Sequence, residues 1–589
     1  MNLRYNKIRE IEDHFFQNLS SSLQILLLDG NKISSLSPNT FASLSSLKTL
    51  NLNDNQLEIL EENSFEHLIS LKNLELASNR IKRIKANAFL RLSQLSVMFL
   101  SLNKLERLEP FTFNGLVSLE TLNLVQNKIS IIEAESFKSL PNLLDLNLRM
   151  NKLERLDDYI FKDCTNLSQL CIKSNRIQSI SSKAFDQLTK LKELNISKNR
   201  ILTLDDDTFH HLKSLSKIEI GFTSIRSVSP KAFSGLESLK RLNMQTNKLE
   251  ELAEYSFISL TNLTYLSIDS SCLRSLKPNI FNCLFCLEDL RLSNGLLESI
   301  DDDVFQCLTK LNSLFLNNNK IKRIASNAFM GLERLAMLNL EHNFIERLEP
   351  SVFQPVRKLV HLKLSFNKIR SIEAKHFENL TNLAELQLSF NEIEELTEEN
   401  MFQSLRSLSH VLLDNNRLRY IGLHTLNTTI LTLDLRGNYM VDFDQENFLQ
   451  HIKILFTLNL DKNHFRAFNT HIFRTVGSYR LDYLGLDSNL LSRMDFLAVE
   501  TAESLKNLSI PRNKVTEINR DTFATLTNIL TLDLSNNVIS RIDAGSFDRM
   551  QKLHFLHLTS NRIQRLPSNW SNGLESLRKL IVDCNLIKN

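Results

Sequence analysis

Glycine and proline are scarce, at 12 and 9 of 589 residues, and no low-complexity tract appears. That excludes a chain of modules joined by disordered linkers. No apolar run approaches the ~20 residues that cross a bilayer as a helix. The opening MNLRYNKIRE has no apolar segment after its charges and does not read as a signal peptide, so any such signal would lie outside this sequence. Neither sign of charge dominates, with 70 Lys and Arg against 67 Asp and Glu and a net charge of +3. Such a balance argues against a dedicated nucleic-acid binder. The motifs H-E-x-x-H, G-x-S-x-G and G-x-x-x-x-G-K-[ST] are absent. The chain is therefore read as no enzyme, with no cofactor. No cysteine cluster lies at either end, and both ends read as uncapped, as in the middle of a longer protein or an incomplete one.

What the sequence has instead is a period. In "NLELASNRIKRIKANAFLRL" (73–92), Asn79 follows Leu74 and Leu76 and precedes Ile81, Ile84, Phe89 and Leu92. The same skeleton returns 24 residues later as Asn103, Leu105, Leu108, Phe113 and Leu116. The asparagine position falls at 31 and then every 24 residues to 391, and later turns end on Asn416, Asn438, Asn463, Asn489, Asn513, Asn537, Asn561 and Asn585. With Asn6, that makes about 25 turns of a single repeat solenoid over 1–589, because a fixed short period overrides the several domains that length alone suggests. The L-x-L segment alternates at period two and predicts a short strand with its leucines inward. Stacked turns then form a parallel sheet at a pitch of about 4.8 Å. The Asn is expected inside, pairing backbone groups that the bend leaves unmatched. The Phe ten residues later fills the opposite, convex side. Each turn buries about seven apolar side chains only when neighbours cover them, at about 1.5–3 kcal/mol each before entropy.

The unit L-x-x-L-x-L-x-x-N-x-[LI]-x-x-[LI]-x-x-x-x-F-x-x-L-x-x resembles the typical, 24-residue class of leucine-rich repeat over essentially the whole chain. Extracellular arrays of this class include Toll-like receptor ectodomains, chaoptin, Slit and the acid-labile subunit. The resemblance implies an α/β-type solenoid: a horseshoe with a concave parallel β-sheet and an irregular convex side of short 3-10 or helical segments. It also implies a protein-recognition scaffold at the cell surface or in the extracellular matrix, with a protein ligand or co-receptor as partner. An intracellular adaptor on the same solenoid is the alternative.

The array departs from itself in three ways. Thr223, Ser271 and Gly295 replace the ladder Asn; Thr and Ser can keep part of its hydrogen bonding and Gly none. Spacing is irregular over 391–513, with steps of 25, 22, 25 and 26 residues from Asn391, and Leu426 takes a convex Phe slot. Neutral loop insertion is the simpler reading; a change of curvature is the functional one. Finally, "NRIKRIKANAF" (79–89) resembles "NKIKRIASNAF" (319–329), and two further pairs share the 240-residue offset, which indicates a duplicated block of ten turns.

Chemistry-bearing residues give weaker signals. Cys283-x-x-Cys286 suggests zinc, but Leu284 and Leu287 show that the scaffold sets this spacing, and no metal site is expected. Cys283 and Cys307 share a column in adjacent turns, which makes them a candidate disulfide at about the 4.4–6.8 Å Cα separation a bridge requires. Cys164 replaces a convex Leu and is expected to be buried. His67, His210, His211 and His376, next to convex phenylalanines, read as solvated loop residues. Eight N-x-[ST] sequons, at Asn18, Asn166, Asn195, Asn262, Asn379, Asn427, Asn507 and Asn569, permit glycosylation. Basic residues follow the ladder Asn in many turns, including Lys32, Arg80, Lys104, Lys128, Lys152, Arg176, Arg200, Lys248, Lys320 and Lys368. Such a row could hold sulfated glycans. The glutamates two residues on (Lys104/Glu106, Lys152/Glu154, Lys248/Glu250) favour a neutralised, solvated flank.

Scaffold positions are thus occupied, and recognition falls to the outward residues of the strands. Phe315, Met337, His342, His361, Phe366, Phe390 and His410 gather over five turns and form the candidate partner-binding group. Asp414, Asp434, Asp461, Asp487, Asp533 and Asp583 follow, diluted by Arg436, Lys462 and Arg512.

Overall fold

The computed structural model describes residues 1–19, 22–398, 400–422, 430–442, 455–467, 481–493 and 504–588. They fall into two compact units, Met1–Gly295 and Leu296–Asn589. The division comes at the one ladder position that holds glycine.

Among the described residues each unit carries twelve three-residue strands, from Ile25–Leu27 to Asp289–Arg291 in the first and from Ser313–Phe315 to Lys579–Ile581 in the second. Within each unit every strand pairs in parallel with the next. Leu50 faces Leu74 and Leu338 faces Leu362. The middle residue of a strand is buried and its two neighbours are half-buried, as the period-two pattern requires. The irregular spacing does not disturb this register: Glu385 pairs His410, His410 pairs Thr432, Thr432 pairs Thr457 and Thr457 pairs Tyr483. The longer and shorter steps are absorbed outside the strands. Leu426 lies outside the described residues.

Strands stop after three residues for a backbone reason. The residue before the ladder position is left-handed in turn after turn, as in Ser78 (φ 54°), Leu102 (φ 58°), Met150 (φ 59°) and, before Thr223, Phe222 (φ 55°). That dihedral ends the extended run and swings the Asn inward. Asn79 is buried. Its Nδ2 donates to the carbonyls of Leu76 (3.2 Å) in its own turn and Leu52 (2.9 Å) in the turn before. Its Oδ1 accepts the N–H of Leu57 at 3.1 Å. Thr223 keeps part of this pattern, bonding the Ile220 carbonyl (3.4 Å) and the Asn247 side chain.

On the convex side the phenylalanines are fully buried and stack in columns, with ring centroids 5.9 Å apart for Phe65–Phe89 and 6.5 Å for Phe305–Phe329. The polypeptide there runs through turns. Two-residue strands such as Ile59–Leu60 and Arg83–Ile84 pair across neighbouring turns, and the one described α-helix is Ala374–Phe377. Twelve residues after the ladder Asn the chain is again left-handed in several turns. At Gly115 (φ 91°) a Cβ would meet the Leu90 carbonyl oxygen at 2.3 Å. Cys283 (φ 75°) and the sequon Asn379 (φ 73°) sit in the same slot, so the repeat does set the cysteine spacing.

Candidate protein-binding surface

The strongest grouping lies in the second unit, at the ends of the strands Met337–Asn339, His361–Lys363 and Glu385–Gln387. The left-handed slot after each of them holds a ring. His342 (φ 53°), Phe366 (φ 57°) and Phe390 (φ 55°) stack face to face, with centroids 4.1 Å and 4.3 Å apart and interplanar angles of 11° and 8°. Phe366 and Phe390 remain 40% and 43% exposed. Flanking turns place Asn318, Asn415 and Gly437 in this slot. Those residue types tolerate positive φ, whereas a bulky side chain there costs about 1–2 kcal/mol. Three successive rings therefore occupy positions at which the backbone prefers small residues, and they do so while facing solvent.

Met337 and His361 are register partners on the neighbouring column, followed by Glu385 and His410. His361 Nδ1 lies 2.9 Å from Glu385 Oε2. Partial burial pushes the Glu385 carboxyl up, but the Gln387 amide (2.6 Å), His361 and the charge of Lys363 outweigh it and hold the group below its ordinary value. Phe315 is half-buried on the first strand of the unit. The seven sequence-selected residues thus share one face. Sequence reasoning missed Phe344, which is 42% exposed just beyond the ladder, with Lys368 Nζ 5.2 Å from its ring centre. The signal was available, because Phe344 interrupts the basic column.

The acidic residues beyond this group are more deeply engaged than their spacing suggests. Asp414 and Asp487 are buried, the first accepting from Ser389 Oγ and the second from Arg512. Asp461 accepts the Asp487 N–H at 2.7 Å. Burial, with the charges of Asp487 and Asp434 adding to it, pushes the Asp461 carboxyl up to about 6.

Several expectations change. Outward strand positions are not uniformly free. Asn or Asp recurs at the third strand residue, where Asn123, Asn147, Asn339 and Asp434 accept the N–H two residues on. That Asx-type bond shapes the exit from the strand. His376 is not solvated: it is buried, Nδ1 accepts the Glu373 N–H (2.8 Å), and Nε2 reaches the Leu348 carbonyl (3.1 Å). Other turns use a hydroxyl in this slot. Ser136 donates to the Glu133 and Leu108 carbonyls; the ring reaches the Leu348 carbonyl as Ser136 reaches Leu108, but takes the Glu373 N–H where Ser136 takes a carbonyl. Among the described residues Lys104, Lys152 and Lys248 form no ion pair with Glu106, Glu154 or Glu250, because acids across the turns are the true neighbours, as in Arg83–Glu109 (3.2 Å) and Arg107–Glu133 (2.6 Å).

Cys164 is buried as expected, and burial pushes its thiol up to about 12. Cys283 and Cys307 fall in different units, and their pairing remains a proposal. Of the sequons, Asn18, Asn262, Asn379 and Asn569 are exposed, Asn166 is half-buried in a turn, Asn195 and Asn507 are half-buried on the strands, and Asn427 lies outside the described residues. No helix among the described residues is long and apolar enough to cross a membrane.

The comparisons agree on family and fold. The leucine rich repeat family model matches residues 1–57, 21–81, 189–249, 285–345, 337–393, 357–418 and 503–563. The model of the BspA type leucine rich repeat region matches 82–216. No curated protein matches the sequence. Among solved structures, Toll from Drosophila in its complex with Spatzle is 20% identical with a TM-score of 0.62, over 92% of this chain and 81% of that one. The plant peptide hormone receptor RGFR1, solved with RGF2, is 20% identical with a TM-score of 0.51, over 96% of this chain and 90% of that one.

Proposed function

Because this chain belongs to the leucine-rich repeat family, a protein-interaction scaffold, we propose that it is the ligand-binding or adhesive part of a cell-surface receptor or matrix protein. Its partner is a protein docking on the strand face, anchored by His342, Phe366 and Phe390. The observation that carries this reading is the exposed ring stack at left-handed positions. Local strain kept in an exposed column, where Asn and Gly serve in the flanking turns, is what a functional contact leaves behind. Toll and RGFR1, which share the fold, were solved in complexes with Spatzle and RGF2, which is compatible with the reading.

The test is photo-crosslinking from position 366 on the expressed protein, with position 330 on the convex side as control. A protein captured only from 366 should lose affinity at least about tenfold in the folded Phe366→Ala/Phe390→Ala double mutant, since an interface anchor is worth about 2 kcal/mol or more. Equal capture from both positions, or unchanged affinity, would remove the site from this column. The extracellular assignment is tested separately. A secreted form should lose mass on glycosidase treatment, with the exposed Asn262 and Asn379 among the occupied sequons; an unmodified chain with reduced thiols would favour the intracellular adaptor.

A further inference from the structure

In the first unit the slot just after the ladder Asn holds a cation in six consecutive turns: Arg80, Lys104, Lys128, Lys152, Arg176 and Arg200. All are exposed except Lys152, which is half-buried. None of the six side chains takes part in a hydrogen bond, ion pair or ring contact. Their spacing is fixed by the backbone, because each residue's own N–H donates to the turn before: Lys104 to Ile81, Lys128 to Leu105, Lys152 to Ile129 and Arg176 to Leu153, all at 2.8–2.9 Å. At about 5 Å per turn the row is a line of charges about 25 Å long.

The surroundings leave this line unneutralised. The nearest acids on one side are taken by other cations: Glu58 by Lys82, Glu109 by Arg83, Glu133 by Arg107 and Asp157 by Arg155. Glu58 is held below its ordinary value by the Lys82 hydrogen bond first, with the fields of Arg80 and Lys104 adding to it. Only Glu106 and Glu154 stand exposed within the strip. On the strand side the neighbouring left-handed slots hold Ser78, Leu102, Gln126, Met150 and Ser174, which are uncharged. Lys198 fills the sixth of these slots, and Arg149 and Lys173 lie beside the column, all adding charge of the same sign.

We infer that this row is a binding site for a linear sulfated polysaccharide. A one-dimensional ladder of fixed cations matches a chain that repeats anions along its length, and releasing the chain's counterions supplies the affinity. Single-stranded nucleic acid is disfavoured, because its binding sites interleave cations with stacking aromatics, whereas the slots on either side of the ladder Asn in these six turns hold no ring and Phe222, under Lys198, lies one turn beyond the row.

The experiment measures binding of the full chain to immobilised heparin, to desulfated heparin and to single-stranded poly(dT). The chain should bind heparin with a steep salt dependence and ignore the desulfated polymer. Replacing Lys104, Lys128, Lys152 and Arg176 together by Ser should weaken heparin binding at least tenfold at ~0.15 M salt and flatten the salt slope. The triple variant Lys104→Arg/Lys128→Arg/Lys152→Arg should retain binding, as should Lys320→Ser in the second unit. Equal binding of the desulfated polymer, unchanged binding of the quadruple variant, loss in the Arg variant, or tighter binding of poly(dT) through the same residues would each overturn the inference.

Discussion

Phe366 offers a way to measure what the ring stack contributes and what its backbone costs. Its φ of 57° disfavours a bulky side chain by about 1 kcal/mol, and Asn relieves most of that. Its two faces, 4.1 Å and 4.3 Å from their neighbours, are worth about 0.5–1.5 kcal/mol each, or about 1–3 kcal/mol together. Phe366→Ala loses both contacts and keeps the dihedral penalty. Phe366→Asn loses the same contacts and recovers about 1 kcal/mol. The expected order of local stability is therefore wild type, then Asn, then Ala. A long repeat array does not unfold in one step, so hydrogen exchange is the suitable assay. The amides of Phe366 and Phe390, which donate to Ser389 and Asp414 at 2.9 Å, report on the turn. About 1 kcal/mol corresponds to about fivefold in exchange rate between the two variants. An Ala variant as protected as the Asn variant would refute the strain argument. Wild-type protection in both would refute the stacking argument.

Two further predictions follow from buried polar groups. His376→Ser should hold its turn close to wild-type protection, because a hydroxyl in this slot reaches the corresponding carbonyl in the Ser136 turn and accepts the N–H three residues back in the Thr40 and Thr522 turns; His376→Ala should expose the Glu373 amide and cost about 1–3 kcal/mol, read by the same exchange assay. Asp461 has a folded pKa of about 6, above its ordinary 3.8, so the unfolded chain gives up this proton first as pH rises. Its contribution to stability is then greatest below about pH 4, falls between about pH 4 and 6 and is flat above, and Asp461→Asn should flatten that part of a stability–pH profile. A profile unchanged by the substitution would place the titration elsewhere.

The parts of the fold that a side chain encodes directly were legible. The ladder Asn, the strand leucines and the convex Phe recur by identity, and each does the job its chemistry suggests. The left-handed slot was not legible, because it takes Leu102, Phe222, Met150 and Gly30 alike. The stacking of turns imposes that dihedral and local propensity does not. Charge partners were misjudged for a related reason. Lys104 and Glu106 are close along the chain, yet an ion pair such as Arg107–Glu133 joins residues a full turn apart. His376 was hidden because a polar residue beside a convex Phe looks solvated until the hydroxyls in that slot, such as Ser136, are seen to point inward. The ring group was found because outward strand positions can be counted, but its stacking depends on dihedrals that counting does not supply.

The ladder asparagine has a direction. Asn79 offers its oxygen to Leu57 and its amide to Leu52, both in the preceding turn, and Asn103 does the same for Ile81 and Leu76. A turn is complete only when the asparagine of its successor arrives. Ribosomes deliver a chain from its N-terminus, so each newly made repeat closes the one before it. Assembly is vectorial: the growing end always carries one unfinished coil, and everything behind it is already sealed.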